Sequence, residues 1–486
     1  MPRLLFVLSL PLLLILSGCL PGRMNWSSTA TANRSSGEVP EATGNDGEDT
    51  DLPAQHESES GNEGNDDDAG LLAGQSLSPK RTHFGLVSRE GMTVTQLRET
   101  GAGIASLPDG RTAIGMTIRS SDGVMSQCAV MFLSPEGNAD TSFGNGYPGV
   151  VVLSLPSVSK CQVNTIALQG SNILVGGWAE RQDGKNLFVG RVRPILPNAG
   201  GFEQDNLFGE PTSPGFVFRK PGGLYAEAKS FAVRPNGEII VAGNALNLGI
   251  GAFLVIGKLS SLGLPVSSFD STGFRVQNLV PGNSDCWATT NAVLVDETNV
   301  NGPIIYIAAD LYAGGTAGVL ASFTIDGSLY FRDPGAVQTF TGTNQQIAAM
   351  AFYTDGGAKE ILITGRKSLT LESPSYVSRL APETGLIDPS FNLGSHTLDV
   401  SGSTATVPVG IGIANGKIYI PARYYNTGVP CSAVFSVGTD GSDLTVDAFS
   451  IHENPLASFI SSTGLVLMTG TVPDGDTDVL FRRQVY

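Results

Sequence analysis

An internal repeat constrains this chain more than any other feature. One half of the repeating unit is an apolar run, a turn and a second apolar run closed by glycine. It stands at residues 104–115, around Pro108-Asp109-Gly110, and again at 231–243, around Pro235-Asn236-Gly237. Weaker copies begin near Thr165, Ala292, Ala348, Gly410 and Ser458. Asp-Gly and Asn-Gly between apolar runs are the strongest short-range hairpin signal, since both residues accept positive φ. The other half is a third run, another turn and an element built around Ser-Phe. Asp140-Thr141-Ser142-Phe143 follows the run at 128–133, Val266-Ser267-Ser268-Phe269 follows 253–259, and Asp388-Pro389-Ser390-Phe391 follows 376–380. Copies start about 50 to 65 residues apart, and four short strands at such a period form the blade of a β-propeller.

The ends of the sequence set the expected count. Residues 478–482 read as the third strand of a unit. The missing fourth strand is legible at the other end, where His83-Phe84-Gly85 resembles the Phe-Gly element and Met92-Thr93-Val94 a strand after it. Seven starts and this split unit predict an all-β, seven-bladed β-propeller of four-stranded antiparallel blades over residues 81–486. An N-terminal strand closes it, and closure hides sheet edges that would template aggregation. The 61 glycines and the 15% share of charged residues suit a chain of short strands and tight turns, and 41% hydrophobic residues suffice for its core.

These motifs resemble the delta-60 repeat family of bacterial β-propellers, whose pattern runs Asp-Gly-Lys-Ile-x-Val-x-Gly, a strand, then Asp-Gly-x-x-Asp-x-Ser-Phe-Gly. The resemblance covers roughly residues 83 to 486. It is good in the first, third and fifth units and eroded in the others; the fourth keeps Asp326-Gly327-Ser328-Leu329 but lacks Ser-Phe. The family is defined by architecture, so the resemblance implies a fold and transfers no catalytic residue.

The first residues carry a different message. Arg3 supplies one positive charge, residues 4–15 are almost wholly apolar, and Leu16-Ser17-Gly18-Cys19 closes the run. The run is too short to span a bilayer comfortably, and small residues before a cut mark a signal peptide over residues 1–18. The segment resembles the bacterial lipoprotein signal at its lipobox, which implies cleavage before Cys19 and lipidation of that cysteine. The expected membrane partner is therefore engaged through lipid on Cys19. Leu20, rather than an acidic residue, follows it; by resemblance to Gram-negative sorting this favours a cell-envelope address at the outer membrane. Residues 19–80 are expected to be a disordered acidic tether. Between Ser35 and Pro79 there are 12 acidic residues and no Lys or Arg, a composition that cannot bury enough apolar surface to offset ordering entropy. Most of the formal charge of −16 therefore belongs to the tether. No dense basic run exists, so a nucleic-acid partner is not expected.

Chemistry is harder to find. Four histidines are scattered at 56, 83, 396 and 452. No nucleophile elbow, zinc motif or phosphate loop occurs, and no cofactor or metal set is legible. Asp109, Asp326 and Asp440 each precede glycine and read as turn residues. Asp140 and Asp388 recur with Ser142 and Ser390 and read as structural hydrogen-bonding groups. With Cys19 lipidated, Cys128, Cys161, Cys286 and Cys431 remain, as disulfides or as free thiols, with three possible pairings. Cys128 and Cys161 should lie towards one face in adjacent blades and are the favoured pair. The loops that rim the channel on that face include Tyr225, Trp287 and Phe340, candidate anchors for a glycan or protein, although packing between blades would equally use aromatics there. The expected function is a monomeric, non-enzymatic binding or scaffold module for an envelope protein or glycan. The alternative is a propeller hydrolase or lyase acting on polysaccharide in the channel.

Overall fold

Residues 98–152 show how one repeat becomes structure. After β1 (Lys80–Thr82), the strands β2 (Arg98–Ser106), β3 (Thr112–Arg119), β4 (Ser126–Leu133) and β5 (Val150–Val152) pair antiparallel in chain order. β3 is buried along almost its whole length, because a middle strand of a blade is covered on both faces by neighbouring sheets. Its sequence is accordingly a continuous apolar run rather than an alternating one. The β2–β3 turn closes with Gly110 donating to the Leu107 carbonyl at 3.0 Å. Asp109 Oδ1 accepts from the Arg111 amide, and the same Asx contact recurs at Asn236, Asp326 and Asp440. In these turns glycine alone takes positive φ, at 86° in Gly110 and 82° in Gly237. They are therefore not the two-residue turns with two positive φ values that Asp-Gly suggests. They are longer loops in which only the last residue must be left-handed.

The structure, a computed structural model, describes residues 80–82, 98–120, 123–142, 149–195, 201–247, 251–279, 287–312, 316–330, 337–339, 345–355, 358–368, 373–391, 395–451, 453–472 and 478–486. Cys19, Cys286, Phe340 and the proposed signal and tether lie outside them. The second repeat comprises β6 (Lys160–Gln169), β7 (Asn172–Arg181), β8 (Gly184–Pro194), β9 (Phe202–Gln204) and β10 (Phe216–Arg219). The third comprises β11 (Tyr225–Val233), β12 (Ile239–Asn247), β13 (Gly251–Leu259) and β14 (Phe274–Gln277). Next come β15 (Trp287–Asp296), β16 (Ile304–Tyr312), β17 (Thr316–Thr324) and β18 (Val337–Thr339), and then β19 (Gln346–Asp355), β20 (Ala358–Arg366), β21 (Ser375–Leu380) and β22 (His396–Leu398). The chain ends with β23 (Ala405–Pro408), β24 (Gly412–Ala414), β25 (Lys417–Asn426), β26 (Val429–Gly438) and β27 (Thr445–Ile451), followed by β28 (Asn454–Ile460), β29 (Leu465–Val472) and β30 (Asp478–Val485).

The described residues form an all-β propeller without helices. Five small sheets stand as separate blades, which corrects the expectation of seven separate four-stranded ones. The strands β6 to β14 form one nine-stranded sheet instead. β8 takes both β9 and β10 at its outer edge, and its start meets β11 in a single parallel pairing, Tyr225 with Lys185. The sheet of β23 to β27 has five strands, because its first strand is interrupted between Pro408 and Gly412.

The inner strands pack in sequence: β2 on β6, β6 on β11, β11 on β15, β15 on β19, β19 on β23 and β24, β24 on β28, and β28 back on β2. The last sheet runs β28-β29-β30-β1, with Lys80, Arg81 and Thr82 opposite Phe481, Leu480 and Val479. An N-terminal strand thus completes the C-terminal sheet. It lies at residues 80–82, ahead of the 92–94 segment that the sequence suggested; 83–97 are outside the described residues. The core lies between the sheets. Phe132, Phe188 and Phe216 are fully buried in the cluster that joins the first two repeats, and Tyr306 and Phe323 in those that follow. Each such side chain contributes about 2 to 3 kcal/mol of burial.

Candidate binding site in the central channel

The inner strands are not regular, and their irregularity builds the channel wall. Each of β2, β6, β11, β15, β19 and β28 has one residue bulged out of its pairing with the next strand: Ala102, Asn164, Lys229, Asn291, Ala348 and Leu456. All six line a channel of about 570 Å³. The interruption of β23 and β24 places Val409 and Gly410 on the same wall. Asn164, Lys229 and Asn291 make a polar arc, while Ala102, Ala348, Val409 and Leu456 make an apolar one. Ile104, Ile166, Met350, Ile411 and Phe459 continue the apolar lining.

A bulge strips a backbone amide and carbonyl of their ladder partners, and buried groups must find others. Here the neighbouring repeat supplies them. The residue just before the bulge donates its N–H to a side chain of the preceding sheet: Val163 to Thr117 Oγ1 at 3.0 Å, Thr290 to Asn244 Oδ1 at 2.8 Å, Ile347 to Asp310 Oδ1 at 3.0 Å. Two bulged asparagines satisfy the carbonyls. Asn164 Nδ2 donates to the Ala228 carbonyl at 2.9 Å, and Asn291 Nδ2 to the Ile347 carbonyl at 2.5 Å.

Two carboxylates sit behind this wall. Glu227 accepts from Asn164 at 3.0 Å and Asn244 at 3.1 Å and pairs with Lys229 Nζ at 3.0 Å. Asp310, 4% exposed, accepts from Asn291 at 3.0 Å as well as from the Ile347 amide. Burial outweighs these bonds and pushes its carboxyl up to about 6. Among the described residues no aspartate or glutamate lines the channel itself, and no cluster of metal-ligating side chains comes together.

Thr117, Asn244 and Asp310 occupy one position of the repeat, directly after Met116, Gly243 and Ala309, the residues that pair with the one just before each bulge. The same position holds Trp178, Arg366, Arg423 and Thr471 in the other sheets. Sequence reading passed over it. The signal was present: the residue at the end of the second apolar run changes chemistry from copy to copy while the run before it does not.

Of the aromatics singled out from sequence, Tyr225 opens β11 and is half-buried. Burial and then the nearby Glu227 push its phenol far above the ordinary range, and Lys185 Nζ lies 5.8 Å from its ring. Trp287 opens β15 opposite Tyr312 in the backbone ladder; its side chain and Phe340 are outside the described residues. Cys128 and Cys161 form a disulfide with Cα atoms 5.9 Å apart, joining β4 to β6. Cys431 is a buried free thiol.

The recurrent aspartates of the Ser-Phe element lie away from the channel lining. Asp140 accepts from the Ser142 amide at 3.1 Å and from Arg111 at 3.1 Å, and Asp388 from the Ser390 amide and Arg379, both at 2.8 Å. Burial raises the Asp388 carboxyl, but its bonds from Ser390 and then Arg379 outweigh burial and hold it below the usual range. Asp205 holds the corresponding place in the second repeat, accepting hydrogen bonds from the Leu207 amide and from Arg191. Asp205-Asn206-Leu207-Phe208-Gly209 is therefore a copy of the element that lacks its serine.

No protein-family profile matches the sequence, and no curated protein matches it significantly. Solved structures do resemble it. An ulvan lyase described as a new family of polysaccharide lyase shares 11% identity over 79% of this chain and 94% of its own, with a TM-score of 0.45. Plexin A of Drosophila, in complex with Semaphorin 1b, shares 9% over 84% and 86%, with a TM-score of 0.41. The endo-arabinase of Bacteroides thetaiotaomicron shares 12% over 53% and 92%, with a TM-score of 0.29.

Proposed function

We propose that this chain is a lipid-anchored, extracytoplasmic β-propeller that binds a glycan in its central channel without cleaving it. The observation that carries this reading is the channel wall. It offers amides, hydroxyls, one lysine and one arginine, with a facing apolar arc, which is the pairing of polar and apolar surface that a sugar presents. The nearest carboxylates, Glu227 and Asp310, are engaged in holding Asn164, Lys229, Asn291 and the bulged backbone in place. A recess of about 570 Å³ also suits a saccharide end better than a flat protein surface.

The delta-60 resemblance and the lipobox complete the reading. Cys19 carries the lipid, the acidic segment spaces the propeller from an envelope membrane, and the outer membrane is the address. Acyl labelling of the intact chain in a Gram-negative host tests the anchor: label is expected, and Cys19→Ala abolishes it.

The decisive experiment pairs binding with turnover. The full-length protein is titrated with a panel of neutral and acidic polysaccharides, and chain length is followed in the same samples. Saturable binding with unchanged chain length is expected. Chain shortening overturns the reading in favour of a polysaccharide hydrolase or lyase. One observation favours that second reading: the Asp310 carboxyl, near 6, lies beside Tyr312, where it could exchange a proton near neutral pH. If cleavage occurs, Asp310→Asn abolishes it.

A further inference from the structure

The acceptor position is filled by residues without an acceptor atom at Trp178, Arg366 and Arg423, and the two arginines stand in successive repeats. Where Thr117, Asn244 and Asp310 accept a backbone N–H from the next inner strand, β20 and β25 carry Arg366 and Arg423, which have no acceptor atom. The next inner strands differ in step. β23 ends in Pro408 at the interruption, and in β28 the residue before the bulge is Pro455. Proline has no N–H to satisfy, so neither position is needed as an acceptor. Two structural duties have lapsed together, and both positions hold a guanidinium.

The cost of that arrangement is visible. Arg366 is 9% exposed, and burial and then the nearness of Arg423 pull its guanidinium below the usual value. Burial lowers Arg423 too. Arg423 lines the channel. Its Nη1 donates to Asn454 Oδ1 at 2.5 Å, its Nε is buried without a partner, and among the described residues no carboxylate pairs with it. A partly buried guanidinium with a bare Nε, such as that of Arg423, is stabilised when an anion joins it. Departures from local consistency of this kind concentrate at functional sites.

We infer that the channel holds an oxyanion subsite on the Arg366–Arg423 side, and that the bound ligand carries a carboxylate, sulfate or phosphate group there. This rests on the glycan reading and narrows it to an acidic glycan. The polar arc of Asn164, Lys229 and Asn291 takes hydroxyls, while Arg423, with the field of Arg366 behind it, takes the charge. Arginine is the residue suited to a planar two-oxygen group.

The test is calorimetric titration of the full-length protein with a galacturonate trisaccharide and with its neutral galactose counterpart. The acidic trisaccharide is expected to bind at least tenfold tighter, with the difference shrinking as salt is raised. Sodium sulfate, inorganic phosphate and sodium acetate are added as competitors. Displacement by sulfate or phosphate assigns the subsite to a tetrahedral oxyanion; displacement by acetate alone assigns it to a carboxylate. Arg423→Gln is expected to erase the preference, and Arg423→Lys to restore part of it, with thermal melting confirming that both variants fold. Equal binding of the two trisaccharides, or an Arg423→Gln variant that keeps the preference, overturns the subsite and leaves the glycan reading standing. Cleavage of either trisaccharide overturns the glycan reading itself.

Discussion

Asp310 is a carboxyl whose ionisation the fold plainly opposes. A carboxyl moved from 3.8 to about 6 costs the folded state about 3 kcal/mol at neutral pH. The sign follows from the direction. The folded protein binds this proton more tightly than the unfolded chain, so the penalty is absent below about pH 4, grows between 4 and 6 and is complete above 6. Asp310→Asn removes the titration while keeping an oxygen for the Ile347 amide. Relative to the wild type, the variant is therefore expected to gain stability on going from pH 4 to pH 7, by up to about 3 kcal/mol. Urea unfolding at the two pH values measures this directly, and a pH-independent difference would show that Asp310 is not the buried acid. The channel-facing asparagines and lysine depend on such residues, because Asp310 and Glu227 hold Asn291, Asn164 and Lys229 by their side chains.

At the scale of the strand, the bulge explains a residue that the repeat only displayed. Gly177, Gly243, Gly365 and Gly470 pair with the residue just before a bulge. A Cβ at Gly243 would stand 2.0 Å from the Glu227 carbonyl oxygen, and one at Gly365 1.7 Å from that of Gln346. The inner strand kinks its carbonyl onto the second strand, and only glycine leaves the room. Gly243→Ala is expected to lose about 3 kcal/mol, read as a lower denaturation midpoint with an unchanged slope. A loss below about 0.5 kcal/mol would mean that the strand simply shifts. These elements were legible because each is decided locally: glycine in the Asp-Gly and Asn-Gly turns, continuous apolar runs for strands covered on both faces, Ser-Phe after the third strand. The bulges were not. A bulge arises from how two strands must bend to share a channel, and Asn164, Lys229 and Asn291 carry no local pattern that marks them. The carboxylates that hold the two asparagines, Glu227 for Asn164 and Asp310 for Asn291, lie 63 and 19 residues away in sequence.

At the scale of the molecule, β1 completes the sheet that would otherwise leave β30 exposed. A chain beginning after residue 82 is expected to melt several degrees lower and to self-associate, because an unpaired edge recruits another. Calorimetry and size-exclusion chromatography read the two effects; an unchanged melting point would make β1 ornamental. The closing strand was legible as a need and misplaced by about ten residues, since three residues of ladder carry little sequence signal. The hydrogen bonds across the bulges also mean that the order of the repeats is written into their chemistry. Asp310 faces a strand that offers an N–H before its bulge, whereas Arg423 faces one whose residue before the bulge is Pro455 and offers none. If the repeat of β15 to β18 were moved to precede β28, its aspartate would meet a proline and lose the backbone N–H that Ile347 supplies, keeping only Asn291. The repeats share an outline but are not interchangeable parts, and the ring can be assembled in one sequence only.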